Sequence, residues 1–136
     1  MNRVAELHDS RITALERKGG DLVIHFQLYI HESEGIPGKD PGIGWYQQAQ
    51  MTMHGLKVDD LSAESSEFPI AISDGFTIYD GQRHENGFDL PLVNVKDFEL
   101  NLTTVQGTNI HLSSNSADLE LTGTPGKPEK FSPKRF

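Results

Sequence analysis

Six histidines, twenty acidic residues and the serine in "LHDS" are the side chains of this 136-residue chain that could do chemistry. His8 and Asp9 sit side by side, with Ser10 next to them. A hydrolytic triad needs a serine, a histidine and an acid within mutual reach. No Gly-x-Ser-x-Gly elbow is present to present such a serine. Metal chemistry is the next candidate, because imidazole is the commonest metal ligand. His25 and His31 are six residues apart, about 20 Å along an extended strand, so they cannot share one ion. There is no His-x-His pair and no His-Glu-x-x-His motif. Glycoside hydrolysis would need two carboxyls about 5–9 Å apart. With twenty acids some pair meets that by chance, so none is singled out.

The glycine-rich stretch "GIPGKDPGIG" is not a phosphate loop. It lacks the Gly-Lys-Ser/Thr ending, and Pro37 and Pro41 remove backbone donors that a phosphate cradle needs. Without cysteine there is no disulfide, thiolate metal site or cysteine nucleophile, which is compatible with a reducing cytoplasm. The expectation is a chain with no catalytic residues, no metal ligands and no cofactor: a protein that is not an enzyme.

The elements that would position these residues are strands. "DLVIHFQLYIH" puts Leu22, Ile24, Phe26, Leu28 and Ile30 on one face and Val23, His25, Gln27, Tyr29 and His31 on the other. A preceding, weaker strand carries Ile12 and Ala14 on one side and Thr13 and Leu15 on the other. It closes a hairpin at Lys18-Gly19-Gly20-Asp21. "WYQQAQMTMHG" reads as a third strand, with Trp45, Gln47, Ala49, Met51 and Met53 opposite Tyr46, Gln48, Gln50, Thr52 and His54. Between them lies the long Gly/Pro loop Glu32 to Gly44.

"LKVDDLSAESSEF" predicts a short helical turn or loop with an acidic patch of Asp59, Asp60, Glu64 and Glu67. "FPIAISDGFTIYDG" predicts a hairpin turning at Ser73-Asp74-Gly75, and "QRHENG" a polar loop. Pro91 marks an edge strand or break in "FDLPLVNV". A meander of three strands then follows, with turns at residues 106–109 and 113–116. The fold expected is all-β: an antiparallel β-sandwich or flattened barrel of about eight or nine short strands with hairpin connections. Residues 1–123 form one domain, and the Pro/Lys-rich residues 124–136 form a basic surface tail.

Charge and hydropathy narrow the function classes. The chain carries a net −8, and since the tail is +3 the body is −11. That argues against nucleic acid, whose phosphates call for clustered Lys and Arg, and fits a basic protein partner. No apolar run approaches the roughly 20 residues of a membrane helix, and the N-terminus has no apolar signal region. The expected setting is therefore the cytoplasm. The sequon at Asn101 is discounted on the same ground.

The polar strand face is the functional candidate, with His25, Gln27, Tyr29, His31, Tyr46, Gln48 and Gln50 as binding residues. Trp45 joins them where the Glu32–Gly44 loop overhangs that face. Adaptable amides with rigid aromatics suit a protein or glycan surface. A water-facing sheet surface is polar for simpler reasons too.

"LHDSRITALERKGGDLVIHF", Leu7 to Phe26, resembles the start of small uncharacterised bacterial all-β proteins, some of them similar to the immunity proteins of toxin systems. The resemblance covers about a seventh of the chain. It implies a cytoplasmic accessory or immunity-type binder, with no inherited catalytic residue; together with the acidic body, the partner expected is a protein, basic or toxin-like. For Leu7, His8, Asp9 and Ser10 it implies a structural role only. Asp9 and Ser10 are expected to make a side-chain turn that launches the first hairpin, with Leu7 as a core anchor. The alternative expectation is a small-molecule or glycan binder, conceivably a hydrolase, with its site near the 32–44 loop. Self-association through an exposed strand edge is a third.

Overall fold

The computed structural model describes residues 1–61 and 68–132. The described residues form nine strands: β1 (Asn2–Lys18), β2 (Asp21–Ser33), β3 (Gly42–Asp59), β4 (Ile70–Tyr79), β5 (Gln82–Glu85), β6 (Gly87–Leu90), β7 (Val95–Thr104), β8 (Asn109–Leu121) and β9 (Glu129–Phe131). All pairings are antiparallel. The path β4-β7-β8-β3-β2-β1 returns to β4, so six strands close into a barrel. Strands β5 and β6 extend it beside β4 and β1, and β9 pairs with β3. The architecture is thus the barrel and not the sandwich. Among the described residues no helix is long and apolar enough to cross a membrane.

Alternation explains the interior. Leu22, Ile24, Phe26, Leu28 and Ile30 of β2 are all at most 1% exposed, and Met51 and Met53 of β3 match them. Phe98, Leu100 and Leu112 fill the barrel from the far side. An eight-stranded barrel is only just wide enough for side chains or one small ligand. Six strands leave a solid core, so a ligand must meet this molecule on its outside or at an end.

Four of the expected elements are corrected. The Ser73-Asp74-Gly75 turn does not exist: β4 runs through it with a bulge opposite Thr103 and Thr104. Ser73 Oγ donates to the Thr103 carbonyl at 3.0 Å, and the chain turns instead at Asp80 and Gly81, both at positive φ. The "QRHENG" loop holds β5, which pairs with β4. The turn at residues 113–116 is likewise absent, since β8 continues through it against β3 and β7. Two strands stand where three were expected. At residues 73–75 and 113–116 short polar residues suggested a turn but sit within a long strand, and at 82–85 they form a short strand of their own. Lys57 to Asp59 belong to β3, while Glu64 and Glu67 lie outside the described residues.

The LHDS segment is the fourth correction. It lies within β1, not ahead of it. Glu6 pairs with Tyr29 and Arg11 with Gln27, so four residues of β1 face Leu28 alone. Asp9 adopts φ 73°, a left-handed conformation that Asp tolerates better than most residues. Ser10, 2% exposed, donates from Oγ to the Glu6 carbonyl at 2.5 Å and accepts from Tyr29 N at 2.9 Å. Leu7 is fully buried. The bulge marks the point where β1 changes its outer partner. Arg3 to Glu6 pair with β6, and Arg11 and Ile12 pair with β4. A second irregularity between Ile12 and Ala14 turns Ala14 outward against His25 and brings Leu15 opposite Ile24. That reverses the facing expected for these two residues.

Candidate binding face and cleft

The unbroken β2–β3 ladder stacks the outward residues in rows. His25 pairs with Gln50, Gln27 with Gln48, Tyr29 with Tyr46, and His31 with Gly44. The predicted set thus lies on one outer face, except Trp45. Its ring is 6% exposed on the opposite, core side, where Nε1 donates to Gln47 Oε1 at 3.0 Å.

At the end of that face nearest the 34–41 loop, the aromatic rings touch. Tyr29 and Tyr46 meet edge to face with centroids 4.8 Å apart, Tyr29 and His31 at 5.1 Å, and His31 and Phe131 of β9 at 5.3 Å. Gly44 permits this, because a Cβ there would collide with the Tyr29 ring. The tail therefore contributes to the face: β9 pairs with Gly42 to Gly44, and Gly126 N donates to the Tyr46 carbonyl at 2.7 Å.

Carboxylates surround the ring row. Burial pushes the Tyr29 phenol above its ordinary range, with Glu129, Glu6 and Asp9 adding to it. Tyr46 is raised in the same way, by burial and then by Asp9, with Arg11 opposing. Glu6 reaches His31 Nε2 at 3.0 Å, and Asn86 Nδ2 donates to its other oxygen at 3.2 Å.

Beside the Glu6–His31 pair opens a cleft of about 560 Å³. The 34–41 loop forms one wall through Ile36, Pro37 and Gly38, and β5, β6 and the residue joining them form the other through His84, Asp89 and Asn86. Ser33 Oγ donates to the Pro41 carbonyl, and Asp40 accepts from Ile36 N, so the loop is held by its own hydrogen bonds. Two imidazoles line the cleft with a buried nitrogen that has no partner among the described residues, His31 Nδ1 and His84 Nε2. His84 also stacks flat on Tyr79 at 4.2 Å.

Three further histidines are engaged elsewhere. His25 Nε2 lies 2.8 Å from Glu16, whose carboxyl is held below its usual range chiefly by that hydrogen bond. His54 bridges Asp21 and Asp118 at 3.3 and 3.0 Å. His8 Nδ1 lies 3.4 Å from Asp9, with both side chains more than half exposed. Among the described residues no three His, Asp or Glu side chains are arranged to hold one metal ion. Glu6, Asp9, Glu129 and His84 are the site residues that sequence reasoning missed. Alternation in β1 would have placed Glu6 had the bulge not broken it, and nothing local marked Glu129 or the strand around His84. Comparisons with protein-family models, with curated proteins and with solved structures returned no match.

Proposed function

We propose that this protein is a non-catalytic binding module that covers a basic protein partner with the outer face of β1, β2 and β3. The observation that carries this reading is the Tyr29–Tyr46 pair ringed by Glu6, Asp9 and Glu129. Lysine or arginine side chains of a partner gain both ion pairing and aromatic contact on such a surface. The charge of −8 steers a basic partner from a distance. The resemblance around "LHDS" makes an immunity-type role, masking a toxin, the specific form of the proposal. The site histidines and acids are largely taken up in mutual pairs, which suits a preformed surface better than proton transfer.

Co-purification from the native host at low salt, compared with an Asp9→Asn/Glu129→Gln double variant, tests this. A basic protein recovered with the original chain, released by salt and lost from the variant, supports the reading. A chain that elutes alone, or a partner held equally by the variant, defeats it.

A second reading is favoured by the cleft beside the Glu6–His31 pair. It would take a small polyhydroxylated ligand, whose hydroxyls can pair with Glu6, Asn86 and Asp89 in its lining. A sugar panel read by thermal unfolding, with His84→Ala as control, tests it. A shift that the variant abolishes supports the cleft, and an unmoved melting point across the panel refutes it.

A further inference from the structure

A third surface arises where alternation runs past the end of the core. Arg3 continues the inward face of β1 two residues before Ala5. Glu32 does the same in β2 two residues after Ile30, and Leu119 and Leu121 follow Ala117 in β8. All four point toward the axis at one end of the barrel, beyond its filled part. The chain between β6 and β7 crosses this end, with Leu92 1% exposed and its carbonyl accepting from Leu119 N at 2.9 Å. Above that floor lies a cavity of about 570 Å³ lined by Met1, Arg3, Glu32, Leu90, Pro91, Leu119 and Leu121. The three leucines are only partly covered, although they pack on the core.

The polar rim is lopsided. Glu32 bonds Arg3 Nε and its side chain is 11% exposed, whereas that of Arg3 is 49% exposed. The guanidinium lies 5.6 Å from the centroid of the Trp45 ring, which supports it from below. Its terminal nitrogens have no hydrogen-bond partner among the described residues. An apolar hollow with one forward-facing guanidinium matches a ligand with a hydrocarbon body and an anionic, planar head. Mouths of β-barrels are common places for such sites, and the volume falls within the usual range for small ligands.

We propose that this barrel end binds a free medium-chain carboxylate, with the chain against Leu90, Leu119 and Leu121 and the head on Arg3. The proposal is independent of the protein-partner face, which lies on the outside of the barrel. Trp45 is the only tryptophan and sits under Arg3, so its fluorescence reports the cavity directly.

The test titrates hexanoate, octanoate and decanoate below their micellar concentrations, following Trp45 emission and, in parallel, heat by calorimetry. Affinity is expected to rise roughly three- to fourfold per added methylene, as burial of each CH₂ predicts. Arg3→Gln should weaken decanoate about tenfold, the loss of one charge-assisted head contact, and leave decanol almost unchanged. Leu121→Asp, at a partly buried position, should abolish binding of both. The inference is overturned by an absence of decanoate binding, by affinity independent of chain length, by decanol binding as tightly as decanoate, or by an Arg3→Gln variant that binds decanoate like the original. Circular dichroism of both variants establishes that they fold. If Leu121→Asp does not, the Arg3→Gln comparison alone decides.

Discussion

Strands β1 and β2 are neighbours in one ladder and follow opposite rules. From Leu22 to Ser33, β2 pairs with β3 without a break. Over the same length, β1 loses register with β2 twice and changes outer partner once. The unbroken strand delivers a flat face, with Leu22 to Ile30 of its inward side in the core and His25, Gln27, Tyr29 and His31 in rows. The broken strand bends, carries its backbone from β6 to β4, and brings Glu6 and Asp9 toward the Tyr29–Tyr46 rows of the other. Regularity supplies the surface and irregularity supplies the charge placed upon it.

The sharpest way to break the regular side is Phe26→Ala. This ring is 1% exposed in the middle of the barrel, and its removal is expected to cost about 3–5 kcal/mol in urea unfolding. A cost below about 1 kcal/mol would mean that the interior is not filled as described. On the irregular side, Ser10→Ala removes the hydroxyl that joins Glu6 and Tyr29 across the bulge. It leaves a buried amide unpaired, for an expected loss of about 1–3 kcal/mol. If the bulge is secured by its neighbours alone, the loss will be unmeasurable.

Asp9 gives a smaller and more discriminating effect. Asp9→Ala should cost about 1 kcal/mol, because alanine pays more for φ 73° than aspartate does. Asp9→Gly should cost less than alanine, since glycine has no Cβ to strain. The reverse order would show that the carboxylate matters and the backbone angle does not.

Titration of the regular strands gives the gentlest effect. All three tyrosines are raised, with burial the first cause in each. The fold therefore favours the neutral phenol. That stabilisation is complete below the ordinary value of 10.0 and is lost as pH climbs through the higher folded values. Ultraviolet titration of native protein should show phenolate forming later than in urea. Asp21 behaves in the opposite sense. Its carboxyl is lowered first by the Gly55 N–H and then by His54. Its contribution is present above the ordinary 3.8 and disappears as pH falls through the lower folded value, a slight effect at so exposed a group.

What could be read from the sequence follows the same division. The alternation of Leu22 to Ile30 was legible because nothing interrupts it, and so was the Gly19-Gly20 turn that joins it to β1. Ser73-Asp74-Gly75 was misread because a bulge and a turn use the same residues. Gly75 is needed where the Asn101 carbonyl and Leu7 approach, not for a reversal. In the site, the Tyr29–Tyr46 row follows from the pairing of two regular strands. Glu129 and Phe131 could not be placed, because a three-residue strand in a Pro/Lys-rich tail leaves no periodic signal. Barrel closure was equally hidden. It depends on two residue pairs, Arg11 with Ala71 and Ile12 with Ile70, separated by nearly half the chain.

That closure has a consequence for how the molecule comes into being. β1 leaves the ribosome first, and β2 can zip onto one side of it at once. Its other side must wait for residues 70–71 and 87–90 before either half is covered. Through that interval the nascent chain offers an open strand flank, the kind of template on which neighbouring chains pair wrongly. Asp9, with its side chain about half exposed in the bulge, interrupts that flank in its middle. A kink with a charge is a poor template, so the same irregularity that shapes the finished surface guards the unfinished one.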